Sequence, residues 1–269
     1  MPTRSHSAEQ GRAGAAGRLP RRIAAAPVEA LRSALCYFTV LPVGRVGGPP
    51  ALSASAPLLP AIGGAIGALA GLIGREAAAG LGRAPAAFLA VGALAGLAGA
   101  IHQDGLADLA DGALAGPQRS RRLAVMAEGT VGAFAVLALL GWAIGCFAAA
   151  AALPRGKLID AFLVAGCWSR AAALLQLPFA PPARREGLGA SFSPSAAQVG
   201  IGVGLACALT LPTAGPSAGL LGAGLSLACA AAVGLWARRA LGGRTGDTLG
   251  GAVALAELAI LLGMVGLSR

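Results

Sequence analysis

Long apolar stretches alternate along this chain with short polar segments that hold most of its charge. Seven stretches, at roughly 58–80, 86–103, 131–153, 158–177, 199–215, 217–236 and 249–268, are each about 20 residues long. At ~1.5 Å rise per residue, such a helix crosses a hydrocarbon layer of about 30 Å. The predicted fold is all-α: a polytopic integral membrane helix bundle of about seven transmembrane helices. A shorter apolar segment, 28–41, ends at Leu41-Pro42 and reads as an N-terminal interfacial helix. Residues 1–27 are rich in Arg, Ala, Gly and Pro and lack the apolar core of a secretory signal. They are expected to form a disordered basic cytoplasmic leader, with 28–269 a single transmembrane catalytic domain.

Composition strengthens the membrane assignment. The chain is 56% hydrophobic and 12% charged, against roughly 25% charged in soluble domains. Its 42 glycines and 4% aromatics give small-residue helix faces, on which backbones approach closely in lipid. A net charge of +10 would suggest nucleic acid in a soluble protein, but here the basic residues lie in the leader and between apolar runs. That is the positive-inside pattern. Loops 104–130, 179–198 and 237–248 hold Arg119, Arg121, Arg122, Arg184, Arg185, Arg238, Arg239 and Arg244. The opposite loops hold only Arg83, Arg155 and Lys157, so the first set is assigned to the cytoplasm. Cys36, Cys146, Cys167, Cys207 and Cys229 stand singly in or beside apolar runs and read as small buried hydrophobes.

The acidic residues fall mostly at the same face. In His102-Gln103-Asp104-Gly105-Leu106-Ala107-Asp108-Leu109-Ala110-Asp111-Gly112, three carboxylates recur at i, i+4 and i+7, which stacks them on one side of a helix. Their repulsion calls for a cation, and hard oxygen ligands suit Mg²⁺. A solvated helix end is the bland alternative. Arg119-Ser120-Arg121-Arg122 with Glu128 supplies phosphate-binding guanidiniums, or else ordinary topogenic arginine. Gly242 to Gly251, with Arg244, Thr245, Gly246 and Asp247, precedes the last span. Glycines there would expose N–H groups to an anion, while the plain reading makes Asp247 or Thr248 an N-cap. Ser169-Arg170 puts a charge inside a span, where ionisable groups usually face a protein cavity. Arg184-Arg185-Glu186-Gly187-Leu188-Gly189 adds cations nearby.

At these residues the chain resembles the cobalamin synthase family, the adenosylcobinamide-GDP ribazoletransferases. Tyr37 to Val43 resembles the family's F-x-T-x-L-P-V and His102 to Gly112 its H-x-D-G-L-A-D-x-x-D-G. Val125-Met126 with Gly132-Ala133-Phe134, Ser169-Arg170, Glu186 to Gly189 and Gly243 to Gly250 match further pieces in order. The departures are Ala127-Glu128-Gly129 in place of a basic-Asp-Ser run, and Ala124 and Ala254 where the family often has Glu. The resemblance implies the transfer of adenosylcobinamide-GDP onto α-ribazole or its 5′-phosphate, giving adenosylcobalamin or its phosphate plus GMP. Asp104, Asp108 and Asp111, with Glu128 and Asp247, would then hold Mg²⁺. Arg121, Ser169, Arg170, Arg184, Arg244, Thr245 and Gly246 would bind substrate, and a carboxylate or His102 would take the hydroxyl proton. The implied location is the cell inner membrane, multi-pass, with the active face cytoplasmic. Homo-oligomerisation and association with other corrinoid-pathway enzymes stay open, and no nucleic acid is expected.

Two rivals remain at this point. Asp108-x-x-Asp111-Gly112-x-x-Ala115 echoes part of the CDP-alcohol phosphotransferase motif, although Gly116 replaces its arginine. A transporter would carry broken helices and buried charge at the membrane midplane, whereas most charges here cluster at one face.

Overall fold

The computed structural model describes residues 19–44 and 53–268, with side chains from residue 28 onward. Its helices are α1 (Leu19–Phe38), α2 (Leu59–Leu81), α3 (Arg83–Leu97), α4 (Ile101–Leu114), α5 (Arg119–Glu128) and α6 (Ala133–Ala152), followed by α7 (Leu158–Leu175), the single turn α8 (Leu188–Ser191), α9 (Ala196–Ala214), α10 (Pro216–Leu241) and α11 (Gly246–Leu267). No strand forms among the described residues. Six helices, α2, α6, α7, α9, α10 and α11, are long and apolar enough to cross a membrane, and the bent pair α3–α4 brings the number to seven if it counts as one broken span, as the expected fold has it.

The stretch expected as a span over 86–103 is the main departure. It breaks into α3 and α4, which meet at 87°. Gly99 and Ala100 make the corner with φ of +65° and +53°, and Ala100 is the one non-glycine residue with positive φ among those described. Uniform apolarity hid a turn that left-handed backbone creates. At 14 residues α4 is too short to span, and it turns across one end of the bundle. The N-terminal helix also differs: it starts at Leu19 and ends at Phe38 rather than running over 28–41. Ala24–Ala26 lie within it, and alanine is the best helix former. Residues 1–18 of the expected leader lie outside the described residues.

Helix α7 is the axis of the bundle, with nearly every side chain buried. It meets α2 along Gly63, Gly67 and Gly71, a run of small residues four apart. A Cβ on Gly67 would stand 2.0 Å from the Phe162 carbonyl oxygen, so only glycine permits this approach. Cys146 and Cys167 are buried as expected, Cys207 and Cys229 are half-buried, and Cys36 is exposed on α1.

Cross-links between loops fix which ends lie together. Arg119 donates from Nε to the Leu241 carbonyl at 2.6 Å and from Nη2 to Ala183 O at 2.9 Å. Arg184 Nη2 donates to Leu123 O at 2.5 Å. Loops 104–130, 179–198 and 237–248 therefore share one end, as the charge pattern predicts. At the other end Arg83 bonds the carbonyls of Ala152 and Leu153, and Arg155 bonds Arg75 O.

Candidate active site

The site is built where α4 crosses the start of α11. Gly105 allows this crossing, since a Cβ there would sit 3.0 Å from both the Asp247 carbonyl oxygen and the Gly250 Cα. Thr245, and not Asp247 or Thr248, is the N-cap of α11: its Oγ1 accepts from Thr248 N at 3.2 Å, and its own N–H donates to Thr248 Oγ1 at 3.0 Å. This reciprocal cap satisfies the helix start. Asp247 is thus released from capping and keeps one bond, from Thr245 Oγ1 at 3.1 Å.

The three carboxylates of α4 do share a helix, but they have different tasks. Asp104 is exposed and Asp108 half-buried. Burial raises the Asp108 carboxyl to about 6, helped by the charges of Asp247, Asp104 and Asp111. Two segments some 140 residues apart, Asp104 to Asp247, thus act on one carboxyl. Asp111, only 9% exposed, accepts from Gly132 N at 2.6 Å and Ala135 N at 2.9 Å. It is the cap of α6, supplied from 21 residues upstream, where the helix dipole favours a negative charge. Among the described residues, no three His, Cys, Asp or Glu close around one point at metal-ligand spacing. Glu128, at the end of α5, is exposed.

The arginines divide in the same way. Arg244 is buried, and its terminal nitrogens donate to Ala180 O at 2.8 Å and Phe192 O at 3.1 Å. That guanidinium pins the 180–193 loop to the start of α11, and Arg244 also stands in the wall of the polar cavity at this end. Arg122 bonds Gly116 O at 2.6 Å and lies 5.9 Å from the Trp236 ring centroid. Arg121 is exposed.

Beneath this end lies a buried polar cluster that sequence reasoning found only in part. Arg170, 2% exposed, forms an ion pair through Nη1 with Glu257, which is 0% exposed. Gln103 Nε2 donates to the other Glu257 oxygen at 3.2 Å, and Arg170 Nη1 donates to Ser169 Oγ at 3.0 Å. Ser169 is therefore a partner of Arg170 within the protein. Glu257 and Gln103 were not singled out from the sequence. The available signal was Arg170 itself, since a charge inside a span needs a counter-ion in another span. Glu257 lies three residues past Ala254 and so supplies a carboxylate one turn beyond the position where one seemed missing. His102 is 5% exposed. Burial, with the Arg170 charge second, pushes its imidazole well below the ordinary range, so it is neutral. Two residues from Asp104, it points about 200° around the helix from that carboxylate.

Two adjoining cavities open here. One, of about 140 Å³, is polar and takes Arg184, Glu186, Thr245 and Asp247 into its wall. The other, of about 40 Å³, is apolar, with Phe38, Leu59, Phe192 and Val253 around His102 and Arg170. Leu188 and Gly246 line both.

The family described as "Cobalamin-5-phosphate synthase" matches residues 30–265. An "Adenosylcobinamide-GDP ribazoletransferase" of Azorhizobium caulinodans is 36% identical over 87% of this chain and 94% of its own length. One of that name from Bradyrhizobium diazoefficiens is 34% identical over 86% and 91%, and one from Escherichia coli 34% over 77% and 85%. No solved structure matches. The match takes in α4, the buried ion pair and the capped start of α11 together, and on it the chain belongs to the cobalamin-5-phosphate synthase family.

Proposed function

We propose that this protein joins adenosylcobinamide-GDP to α-ribazole, or to α-ribazole 5′-phosphate, giving adenosylcobalamin or its 5′-phosphate and GMP. The carrying observation is the near full-length similarity to relatives bearing the ribazoletransferase name. The polar cavity beside Asp247 supports it.

In this reaction a ribazole hydroxyl oxygen bonds to the cobinamide-side phosphorus of the pyrophosphate. The bond from that phosphorus to the bridging oxygen breaks, and GMP leaves with the electron pair. The hydroxyl proton passes to a carboxylate of the α4–α11 cluster. Transfer of this kind asks for alignment and for charge neutralisation around the phosphates. Arg184 and Arg244, in the wall of the polar cavity, and exposed Arg121 are cations available to them.

A divalent cation fits the donor set. Asp104, Asp108 and Asp247 are hard oxygen donors, and the Asp108 carboxyl is raised first by burial and then by the charges of Asp247 and Asp104. Mg²⁺ commonly takes one or two carboxylates and completes its shell with substrate phosphates, so no preformed protein cage is needed. Asp111 supports the set by fixing α4 to α6. When bound, the ion would neutralise charge on the pyrophosphate. On this reading the site end is cytoplasmic and the membrane is the cell inner membrane; the arginine bias supports the side.

The test is acceptor-dependent release of GMP from adenosylcobinamide-GDP by purified protein in detergent, with the corrinoid product identified by mass. Corrinoid uptake into proteoliposomes without GMP release would favour a transporter instead.

A further inference from the structure

The apolar cavity poses a question that the transfer chemistry leaves unanswered. Its wall carries two buried polar groups with unsatisfied atoms: His102 Nε2 and Arg170 Nη2 have no hydrogen-bond partner, in residues 5% and 2% exposed. Buried polar atoms nearly always find partners, so two at one apolar wall point to a ligand that brings an acceptor.

The ligand's charge follows from the ion pair. Arg170 already faces Glu257 and Ser169, so the pair is neutral and its remaining N–H offers a directed donor without net positive charge. A phosphate would gain little from that donor while losing its water. An uncharged ring nitrogen would accept from it at small cost. The surrounding Phe38, Phe192, Leu59 and Val253 suit a flat aromatic body.

We infer that this cavity is the seat of the acceptor's aromatic base, with its unsubstituted ring nitrogen toward Arg170 and His102 and its sugar in the polar cavity across Leu188 and Gly246. This rests on the proposed function, whose acceptor is such a molecule: a substituted benzimidazole joined to a ribose. The two cavities divide as that molecule does, one apolar and one lined by Arg184, Thr245 and Asp247. A volume of about 40 Å³ is less than a benzimidazole fills, so binding displaces Leu188. That residue is exposed and sits on the four-residue α8, which is the easiest wall to move. The Arg170–Glu257 pair is then a specificity element for the base, and not the phosphate clamp expected from sequence.

The full chain in detergent, titrated with α-ribazole in a calorimeter and assayed for turnover, tests this. Ala173 lines the cavity one turn from Arg170, so Ala173→Leu fills it. The expected result is roughly tenfold weaker α-ribazole binding and a KM for acceptor raised in step, with the KM for adenosylcobinamide-GDP unchanged. Free 5,6-dimethylbenzimidazole should compete with α-ribazole on the wild type. Val253→Ala removes bulk and should admit a naphthimidazole riboside that the wild type excludes. Unchanged α-ribazole affinity in a folded Ala173→Leu protein overturns the inference. If that variant does not fold, failure of Val253→Ala to admit the larger riboside overturns it. Loss of α-ribazole binding in Ala173→Leu, when the wild type binds α-ribazole but releases no GMP, would keep the base seat and discard the proposed reaction. Wild-type turnover with an unaffected Ala173→Leu acceptor KM would do the reverse.

Discussion

Replacing Glu257 by glutamine leaves the Arg170 guanidinium without its counter-ion in the middle of the bundle. Glu257 is wholly buried, and its two oxygens accept from Arg170 and Gln103. Removing one partner of such a pair costs about 3–5 kcal/mol, because the other charge stays desolvated. Arg170→Met strands the carboxylate and should cost a similar amount. The double variant strands neither charge, and the amide that Glu257→Gln introduces can still meet Gln103, so most of the loss should return. The coupling energy of the cycle, the two single penalties less that of the double, should be at least about 3 kcal/mol, the top of the range for groups in contact. Equilibrium unfolding of the four proteins in mixed micelles, followed by circular dichroism, measures it. Additive penalties, with coupling below about 0.5 kcal/mol, would refute the claim that the two charges are held by each other.

Two further outcomes follow from the end of the bundle. Thr245→Val should lower stability by about 0.5–2 kcal/mol through loss of the α11 cap, whereas Thr245→Ser, which keeps the hydroxyl, should lose little; equal losses in thermal unfolding would deny the capping role. The Asp108 carboxyl holds its proton more tightly in the folded protein than in the unfolded chain, about 6 against 3.8. Stability from this group therefore falls as pH rises between those values, and the deficit is complete above 6. Mg²⁺ should relieve that deficit, so its stabilisation in a thermal-shift assay should be larger near about pH 7.5 than near about pH 5; a pH-independent shift would argue against a carboxylate site.

The long helices were legible because membrane insertion is decided by local apolarity, which a sequence displays directly. The corner at Gly99-Ala100 was not, since nothing in an apolar run distinguishes a straight helix from two that meet at 87°. The i, i+4, i+7 spacing correctly places Asp104, Asp108 and Asp111 on one helix. It could not tell that Asp111 closes the start of α6, because that depends on a chain crossing set by Gly132: a Cβ there would stand 2.7 Å from an Asp111 carboxylate oxygen. The loop-holding bonds of Arg244 were hidden for a similar reason: they are made to carbonyls at positions 180 and 192, which carry no side-chain signal. The gathering of Asp247 with the α4 carboxylates was legible from topology, since the loops that carry them alternate to the same end.

The central claim is that the start of α11 and the α4 carboxylates form one reaction site. The most direct measurement is single-turnover GMP release from adenosylcobinamide-GDP, with saturating α-ribazole and Mg²⁺, by the wild type and Asp247→Ala. Because Thr245 caps α11, this substitution should leave the helix and corrinoid binding intact while slowing release about 100-fold or more, a loss of at least ~2.7 kcal/mol of transition-state stabilisation. Near-normal release from a folded Asp247→Ala protein would contradict the shared site.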